Sequence, residues 1–244
     1  MISSKWPQLS TLGVDGFLIC FGDRLSEPAN RAALAFRDAL ERAGWDGVEE
    51  SSTSLVSTYL RFDPLWQSHA VLRTALEGLL EQQDWFAADL PAGRRLWRVP
   101  TVYGTEMAPQ LEEAAQAAGL SKDAAIASIS QTRVRVQTLG FAPGQPYLGE
   151  LPPEWNIPRQ TTLTDKVPVG ALVVAIRQLV LFSVTTPTGW RHIGQTRFRL
   201  FRPETDQPFV LRPGDEVLFE PTAPEVLARM QDDANGGARS EVVK

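Results

Sequence analysis

Three clusters of residues in this chain carry side chains and backbone types suited to chemistry. In the first, Arg159 follows Pro158, and Val167-Pro168-Val169-Gly170 lies just beyond. A guanidinium beside a rigid proline offers a fixed fork of donors that matches a carboxylate or a phosphate. A solvated surface arginine has the same local sequence, so both readings stand. Lys166 lies in the same stretch and reads either as a point charge toward phosphate or as a solvated loop lysine. The second cluster is Gly140-Phe141-Ala142-Pro143-Gly144-Gln145-Pro146-Tyr147-Leu148-Gly149. Its glycines and prolines exclude a regular helix or a central strand. They also allow the backbone to turn sharply and approach a ligand. This segment reads as a pocket-shaping loop or as a wide turn between strands. The third is Thr188-Gly189-Trp190-Arg191-His192-Ile193-Gly194-Gln195-Thr196. Trp190 can wall a pocket or fill a core, and Thr196 offers a hydroxyl. His192 is an acid or base by residue type alone, with no carboxylate near it in sequence.

Other chemistries are excluded or lack a signature. The chain holds two histidines, His69 and His192, and one cysteine, Cys20. That set is too small for a zinc site of His and Cys, and a single cysteine forms no internal disulfide. Cys20 falls in the apolar run 17–21, where a buried thiol is expected. A magnesium site made of carboxylates stays open. No phosphate loop, Gly-x-Ser-x-Gly elbow or His-Glu-x-x-His pattern occurs. A net charge of −5 gives no basic footprint for nucleic acid. Residues 1–10 do not read as a signal peptide, and the longest apolar stretches are far too short to span a bilayer. The expectation is a cytoplasmic protein with no membrane partner.

The elements that would position these clusters follow from periodicity and punctuation. Residues 17–21 read as a buried strand. Ser26 caps a helix whose Ala29, Ala32, Ala33, Phe36, Leu40 and Ala43 recur at helical spacing up to Gly44. Strands are expected at 47–50 and 55–62, a helix after Ser68, and another strand at 95–102. This β-α-β-β-α-β order matches a ferredoxin-like split unit. The sequence does not decide whether its last strand pairs there or opens the next domain. A helix over 109–118 and a shorter one over 121–128 follow. Short strands at 134–139, 171–176, 179–184, 197–201 and 216–219, separated by Gly and Pro, suggest a closed or nearly closed antiparallel barrel. The fold class is therefore α+β. Residues 1–92 form a small N-terminal α/β domain, 93–222 a β-barrel domain, and 223–244 a polar, partly disordered tail.

The three clusters, in this order and spacing, resemble the family that comprises the B-type subunit of 5-oxoprolinase and allophanate hydrolase subunit 1. That family also includes an inhibitor of a sporulation histidine kinase. It is similar to one half of the carboxyltransferase domain of urea carboxylase. The resemblance rests on Gly140, Phe141, Pro143, Gly144, Tyr147 and Leu148, then Pro158-Arg159, then Val167, Pro168 and Gly170. Gly189, Trp190, Ile193, Gly194 and Thr196 complete it. Asp63-Pro64, Val99-Pro100 and Gly214-Asp215 also fit, so the match spans nearly the whole chain before the tail. It implies a cyclophilin-like barrel for the second domain. It further implies one subunit of an ATP-dependent amide or lactam hydrolase, paired with a carboxyltransferase-like partner of the C type. ATP and Mg²⁺ would act at the level of the complex, with no zinc and no biotin attached to this chain. The implied catalytic residues are Arg159 and Thr196. Gly140, Phe141, Pro143, Gly144, Tyr147 and Trp190 are the implied substrate-binding set.

The chain departs from the family pattern at several polar positions. An Asp is replaced by Gln110, a His and a Tyr by Ile129 and Val134, and the second Phe of the loop by Gln145. A second Pro-Arg reads Leu163-Thr164, and a Gly reads Thr188. Ile129 and Val134 cannot transfer protons. Their presence supports an alternative reading, a non-catalytic regulatory or scaffold protein of the same family. An enzyme subunit that is inactive without its partner remains the first expectation.

Overall fold

The structure is a computed structural model that describes residues 5–243. The chain divides into two compact units, Met1–Ala92 and Gly93–Lys244.

The first unit opens with a hairpin of β1 (Gln8–Leu12) and β2 (Gly16–Cys20). Helix α1 (Glu27–Ala43) begins where the Ser26 hydroxyl accepts from the Ala29 N–H, and ends at Gly44. Strands β3 (Val48–Ser54) and β4 (Ser57–Phe62) form a second hairpin, and α2 (His69–Leu80) starts at the Ser68 cap. The sheet order is β1-β2-β4-β3, antiparallel throughout. Phe17 and Ile19 of β2 and Leu60 and Phe62 of β4 face Phe36 and Leu40 of α1 and Leu72, Leu76 and Leu79 of α2 in one core. The place of the fourth strand in a ferredoxin-like sheet is filled by β1. Its sequence, Gln-Leu-Ser-Thr-Leu, is almost wholly exposed at the sheet edge and shows no apolar alternation, so periodicity could not reveal it. Cys20 is partly exposed at the end of β2, and burial pushes its thiol up from the ordinary range.

The second unit begins with β5 (Arg95–Tyr103), the strand that sequence order left between the two units. Helices α3 (Leu111–Ala117) and α4 (Lys122–Gln131) follow, then β6 (Val134–Leu139), β7 (Pro146–Gly149), β8 (Thr164–Val167) and β9 (Ala171–Ala175). The chain continues through β10 (Gln178–Leu181), β11 (Thr186–Thr188), β12 (Arg191–Gln195), β13 (Glu216–Pro221), α5 (Pro224–Ala228) and β14 (Arg239–Val242). Seven strands close in the order β12-β9-β10-β7-β6-β13-β5, with β5 returning to β12. Every neighbouring pair in the ring is antiparallel except β13 with β5, which run parallel from Glu216 beside Leu96 to Pro221 beside Thr101. The α+β class expected from the sequence is the class observed, with this one parallel seam in the barrel.

Strand β9 is buried on both faces. Leu172 and Val174 join the main core with Val99, Val136, Leu148, Leu179, Ile193 and Phe219. Ala171, Val173 and Ala175 join a second cluster with Val180, Phe182, Val167 and Trp190. Side chains alternate across a strand, so β9 needs cover on each side. The β8–β11 ribbon and Trp190 contribute to that cover on the second face. The parallel seam is locked at its start by Asp215, which is 3% exposed. Its carboxylate accepts from the Arg95 N–H at 3.0 Å, from Arg95 Nη2 at 2.5 Å and from the Arg212 N–H at 3.1 Å.

Two sequence expectations need correction. Residues 223–244 do not form a partly disordered tail among the described residues. They contain α5 and β14, and β14 pairs antiparallel with β5 from Arg239 beside Arg98 to Val242 beside Arg95. The polarity read as disorder belongs to an edge strand with exposed side chains and to a tight turn. In that turn Asp233 accepts from the N–H groups of Asn235 and Gly237, each at 2.8 Å. Residues 197–201 form no strand; Phe201 makes a single bridge to Phe209. The Arg199 N–H instead donates to Ala234 O at 3.1 Å, outside any ladder.

Candidate functional site

The barrel unit carries two clefts that sort the sequence-derived residues. The smaller, about 260 Å³, is lined by Phe141, Gln145, Tyr147, Arg159, Leu163 and Trp190, among others. Tyr147 comes from β7 and Trp190 precedes β12, while Arg159 is carried by the loop after β7. The Arg159 guanidinium lies over the Trp190 ring, 5.1 Å from its centroid. Tyr147 meets the same indole edge-on, with centroids 6.4 Å apart. A cation held on an indole face keeps its in-plane N–H donors for a ligand. Phe141 stands exposed on the rim with φ 71, a left-handed conformation rare for an aromatic residue. Gln145 is buried, and its side-chain carbonyl accepts from the Ser183 N–H at 3.4 Å.

Gly140, Pro143 and Gly144 shape the loop without lining this cleft. The Gly140 N–H donates to Gln145 O, and a Cβ on Gly144 would sit 2.9 Å from Leu200 O. Trp190 is 5% exposed and belongs to the second apolar cluster, so it fills a core and walls a cleft at once.

Thr196 lies in the other cleft, about 690 Å³ in volume, together with Lys166, Gly170, His192, Gln195 and Arg197. Its hydroxyl donates to Gly170 O at 3.1 Å, and its N–H donates to the same carbonyl at 2.8 Å. Gly170 is therefore clamped at φ 78, where a Cβ would fall 2.5 Å from Thr196 O. The Thr196 hydroxyl thus holds the turn that forms one wall. The Gln195 side chain donates to Val169 O at 2.8 Å and to Thr196 O at 3.0 Å, which fixes the amide's orientation. Its Oε1 and His192 Nε2 are both buried without a hydrogen-bond partner.

The two clefts are joined by a pair of glutamines that sequence reading did not connect. Gln110 lines the larger cleft, accepts from the His192 N–H at 2.9 Å and donates to Gln160 Oε1 at 2.8 Å. Gln160 in turn donates to Trp190 O at 3.2 Å. Ile129 and Val134, read against the family pattern as lost proton-transfer positions, are fully buried in the main core and line neither cleft. Among the described residues, no group of three or more His, Cys, Asp and Glu side chains is placed to share a metal ion. No helix among them is long and apolar enough to cross a membrane.

Burial holds the His192 imidazole below its ordinary pKa, with the Gly194 backbone and the Gln195 side chain partly offsetting the effect. The unfolded chain therefore takes up this proton at higher pH than the folded one, and stability rises with pH across the window. The contribution is fully present above the ordinary histidine pKa and is lost progressively below it. Urea denaturation is expected to show a lower midpoint at pH 5.5 than at pH 7.5, with a smaller drop in His192→Gln. An unchanged drop in the variant would assign the effect to other groups.

A family model described as the carboxyltransferase domain, subdomain C and D, matches residues 7–211. The chain is 31% identical over 219 residues to the B-type subunit of 5-oxoprolinase from Bacillus subtilis, covering 87% of this chain and 91% of that protein. The crystal structure of TTHA0988 superposes with a TM-score of 0.72 at 34% identity, over 86% of this chain but only 40% of the TTHA0988 chain. The urea amidolyase of K. lactis is similar in fold alone, with a TM-score of 0.68 at 14% identity over 96% of this chain and 16% of its own.

Proposed function

The chain belongs to the family of carboxyltransferase domains, subdomain C and D, and we propose that it is one subunit of an ATP-dependent amide or lactam hydrolase of the 5-oxoprolinase type. The observation that carries this reading is the similarity to the B-type subunit of 5-oxoprolinase across 91% of that protein's length. Its partner would be a carboxyltransferase-like protein of the C type, and its location the cytoplasm, where ATP is available. Opening a lactam requires activation of a stable amide carbonyl before water attacks, and ATP supplies that activation when bound to the complex. The described residues include no phosphate loop and no cluster of carboxylates suited to Mg²⁺. In this proposal the nucleotide and its metal act at the level of the complex, and this chain's part is to bind and orient.

In this reading Arg159 presents charged donors to an anion, carboxylate or phosphate, on the platform of Trp190. Tyr147 and Phe141 exclude water from the flanks. Arg159 is exposed, so stacking on the indole rather than burial would fix its charge, and a charge held in place lowers the cost of organising it during reaction. The alternative of a regulatory protein rests on Gln110, Ile129 and Val134 standing where the family pattern has Asp, His and Tyr; Ile129 and Val134 pack in the main core and Gln110 lines the larger cleft.

The test is ATP-dependent conversion of 5-oxoproline to glutamate by the chain alone and with its carboxyltransferase-like partner. The chain alone is expected to be inactive and the pair active. Arg159→Ala is expected to lower turnover by the pair about ten- to a hundredfold, the loss that follows removal of charge-assisted hydrogen bonds worth ~1.5–3 kcal/mol. Turnover by the isolated chain, or an inactive pair, would remove the shared-enzyme reading.

A further inference from the structure

Arg159 is exposed and belongs to the loop between β7 and β8, yet its guanidinium lies over the Trp190 ring. The bonds that hold this loop in place are made by the two neighbours of Arg159. Pro158 O accepts from Arg191 Nη1 at 2.7 Å, and the Gln160 N–H donates to Gly189 O at 2.7 Å. The Gln160 side chain adds a third bond, from Nε2 to Trp190 O at 3.2 Å. All three fall on residues 189–191, the segment that carries the indole. Gly189 permits the approach, because a Cβ there would lie 3.2 Å from Gln160 O. Two ties run on to α3. Arg191 Nε donates to Glu113 Oε1 at 2.9 Å, and Gln110, at the start of the helix, donates from Nε2 to Gln160 Oε1 at 2.8 Å.

Backbone groups fix the direction of these amide bonds at both ends. The His192 N–H can only donate, so the Gln110 atom that it meets at 2.9 Å is the carbonyl oxygen. The other end of that amide is then a donor, and the Gln160 atom facing it is an oxygen. The remaining Gln160 nitrogen faces Trp190 O, which can only accept. A further bond, from the Gln110 N–H to His192 O at 3.0 Å, pins the start of the series. We propose that this relay of two amides sets the Arg159 guanidinium on the Trp190 ring, and that Gln160 and, through it, Gln110 are positioning residues of the Arg159 pocket. Neither side chain lines that pocket, so each acts through Arg159. A carboxylate in either place has no N–H to give. At position 160 it would set an oxygen against Trp190 O, and at position 110 an oxygen against Gln160 Oε1. The relay therefore requires the neutral amide and not its shape alone. The value of this placement to turnover rests on the function proposed above; the relay itself rests on the hydrogen bonds.

The test is Gln160→Glu, which keeps the size of the side chain and removes its donor, beside Gln110→Leu, which removes the link without adding charge. Both positions are half-buried, and circular dichroism with Tm shows whether each variant keeps the fold. Nuclear magnetic resonance of the isolated chain reads the Arg159 δ-methylene protons, assigned from their loss in Arg159→Ala. The ring current of an indole face moves such protons upfield of those in a free arginine. The expected result is an upfield position in the parent that returns toward the free value in both folded variants. An unchanged position in a folded variant of either kind would overturn the relay. Loss of the fold in both variants would make the glutamines structural and overturn it as well. In the complex with the partner, Gln160→Glu is expected to lower kcat roughly tenfold or more. The double variant Arg159→Ala/Gln160→Glu should be no slower than Arg159→Ala alone, because the effect passes through one side chain. Losses that add in the double variant would remove the positioning role. An inactive parent complex, with the resonance displaced as expected, removes the proposed function and leaves the relay standing.

Discussion

Asp215→Ala is expected to destabilise the barrel unit by about 3–5 kcal/mol, the cost of removing one partner from a buried ion pair. Asp215 is 3% exposed, and the side chain of its partner Arg95 is 20% exposed. The carboxylate accepts two N–H bonds from the Arg95 side chain and one each from the backbones of Arg95 and Arg212. Removing it leaves those backbone donors without an acceptor and the guanidinium with only Val210 O and the face of Trp97. The damage falls where β5 and β13 begin to run in parallel, so the ring itself is weakened. For a chain of this size, 1 kcal/mol corresponds to roughly 2–4 °C in Tm, and the variant should melt about 6–20 °C below the parent. The double variant Asp215→Leu/Arg95→Met should recover part of the loss, because it removes the stranded charge as well. Urea denaturation followed by tryptophan fluorescence measures both. A single variant within about 1 kcal/mol of the parent would show that the pair contributes little to closure.

Trp155→Ala carries the second large effect. Trp155 is among the fully buried side chains of the main core, and its Nε1 donates to Ser128 Oγ at 3.0 Å. Truncating a buried Trp to Ala costs about 3–5 kcal/mol through lost transfer energy and the cavity left behind. Trp155→Phe keeps most of the volume and loses one hydrogen bond, so it should cost less. The position also bears on the site. Trp155 O accepts from the Arg177 N–H at 2.9 Å and Ile157 O from the Ile176 N–H at 2.8 Å. Those bonds seat the segment that ends in Arg159. Trp155→Ala should therefore loosen Arg159 as well as lower stability, whereas Trp155→Phe should leave turnover by the complex near the parent level. Equal stability of the two variants would show that packing volume is not what Trp155 supplies.

The sequence showed the α+β class because helical spacing and short strands are local signals. It could not show that Trp190 serves as core and as wall, because a side chain buried on one face and lining a cleft on another has one local signature. The stacking of Arg159 on Trp190 and the contact of Gln110 with Gln160, 50 positions apart, depend on pairing across the barrel and leave no local pattern. Strand β14 was invisible for a related reason. An edge strand with every side chain exposed has the composition of a disordered segment. Ile129 and Val134, which the motif comparison treats as altered positions, pack in the main core, a place that local sequence does not reveal.

The parallel seam also sets an order of events on the ribosome. Strand β5 can complete its pairing only when β13 has emerged, and Arg98 of β5 reaches Glu220 of β13 across 122 positions. At roughly 5–20 residues per second, the nascent β5 waits about 6–24 s with an edge unpaired. The Met1–Ala92 unit has all its strands available before that wait begins. Strand β5 is rich in apolar and aromatic residues, from Leu96 and Trp97 to Val102 and Tyr103. An open edge of that composition is a template for pairing with another chain. Synthesis that stalls between β5 and β13 should therefore release a species with a folded first unit and an adhesive second one, and chaperone demand should concentrate in that interval.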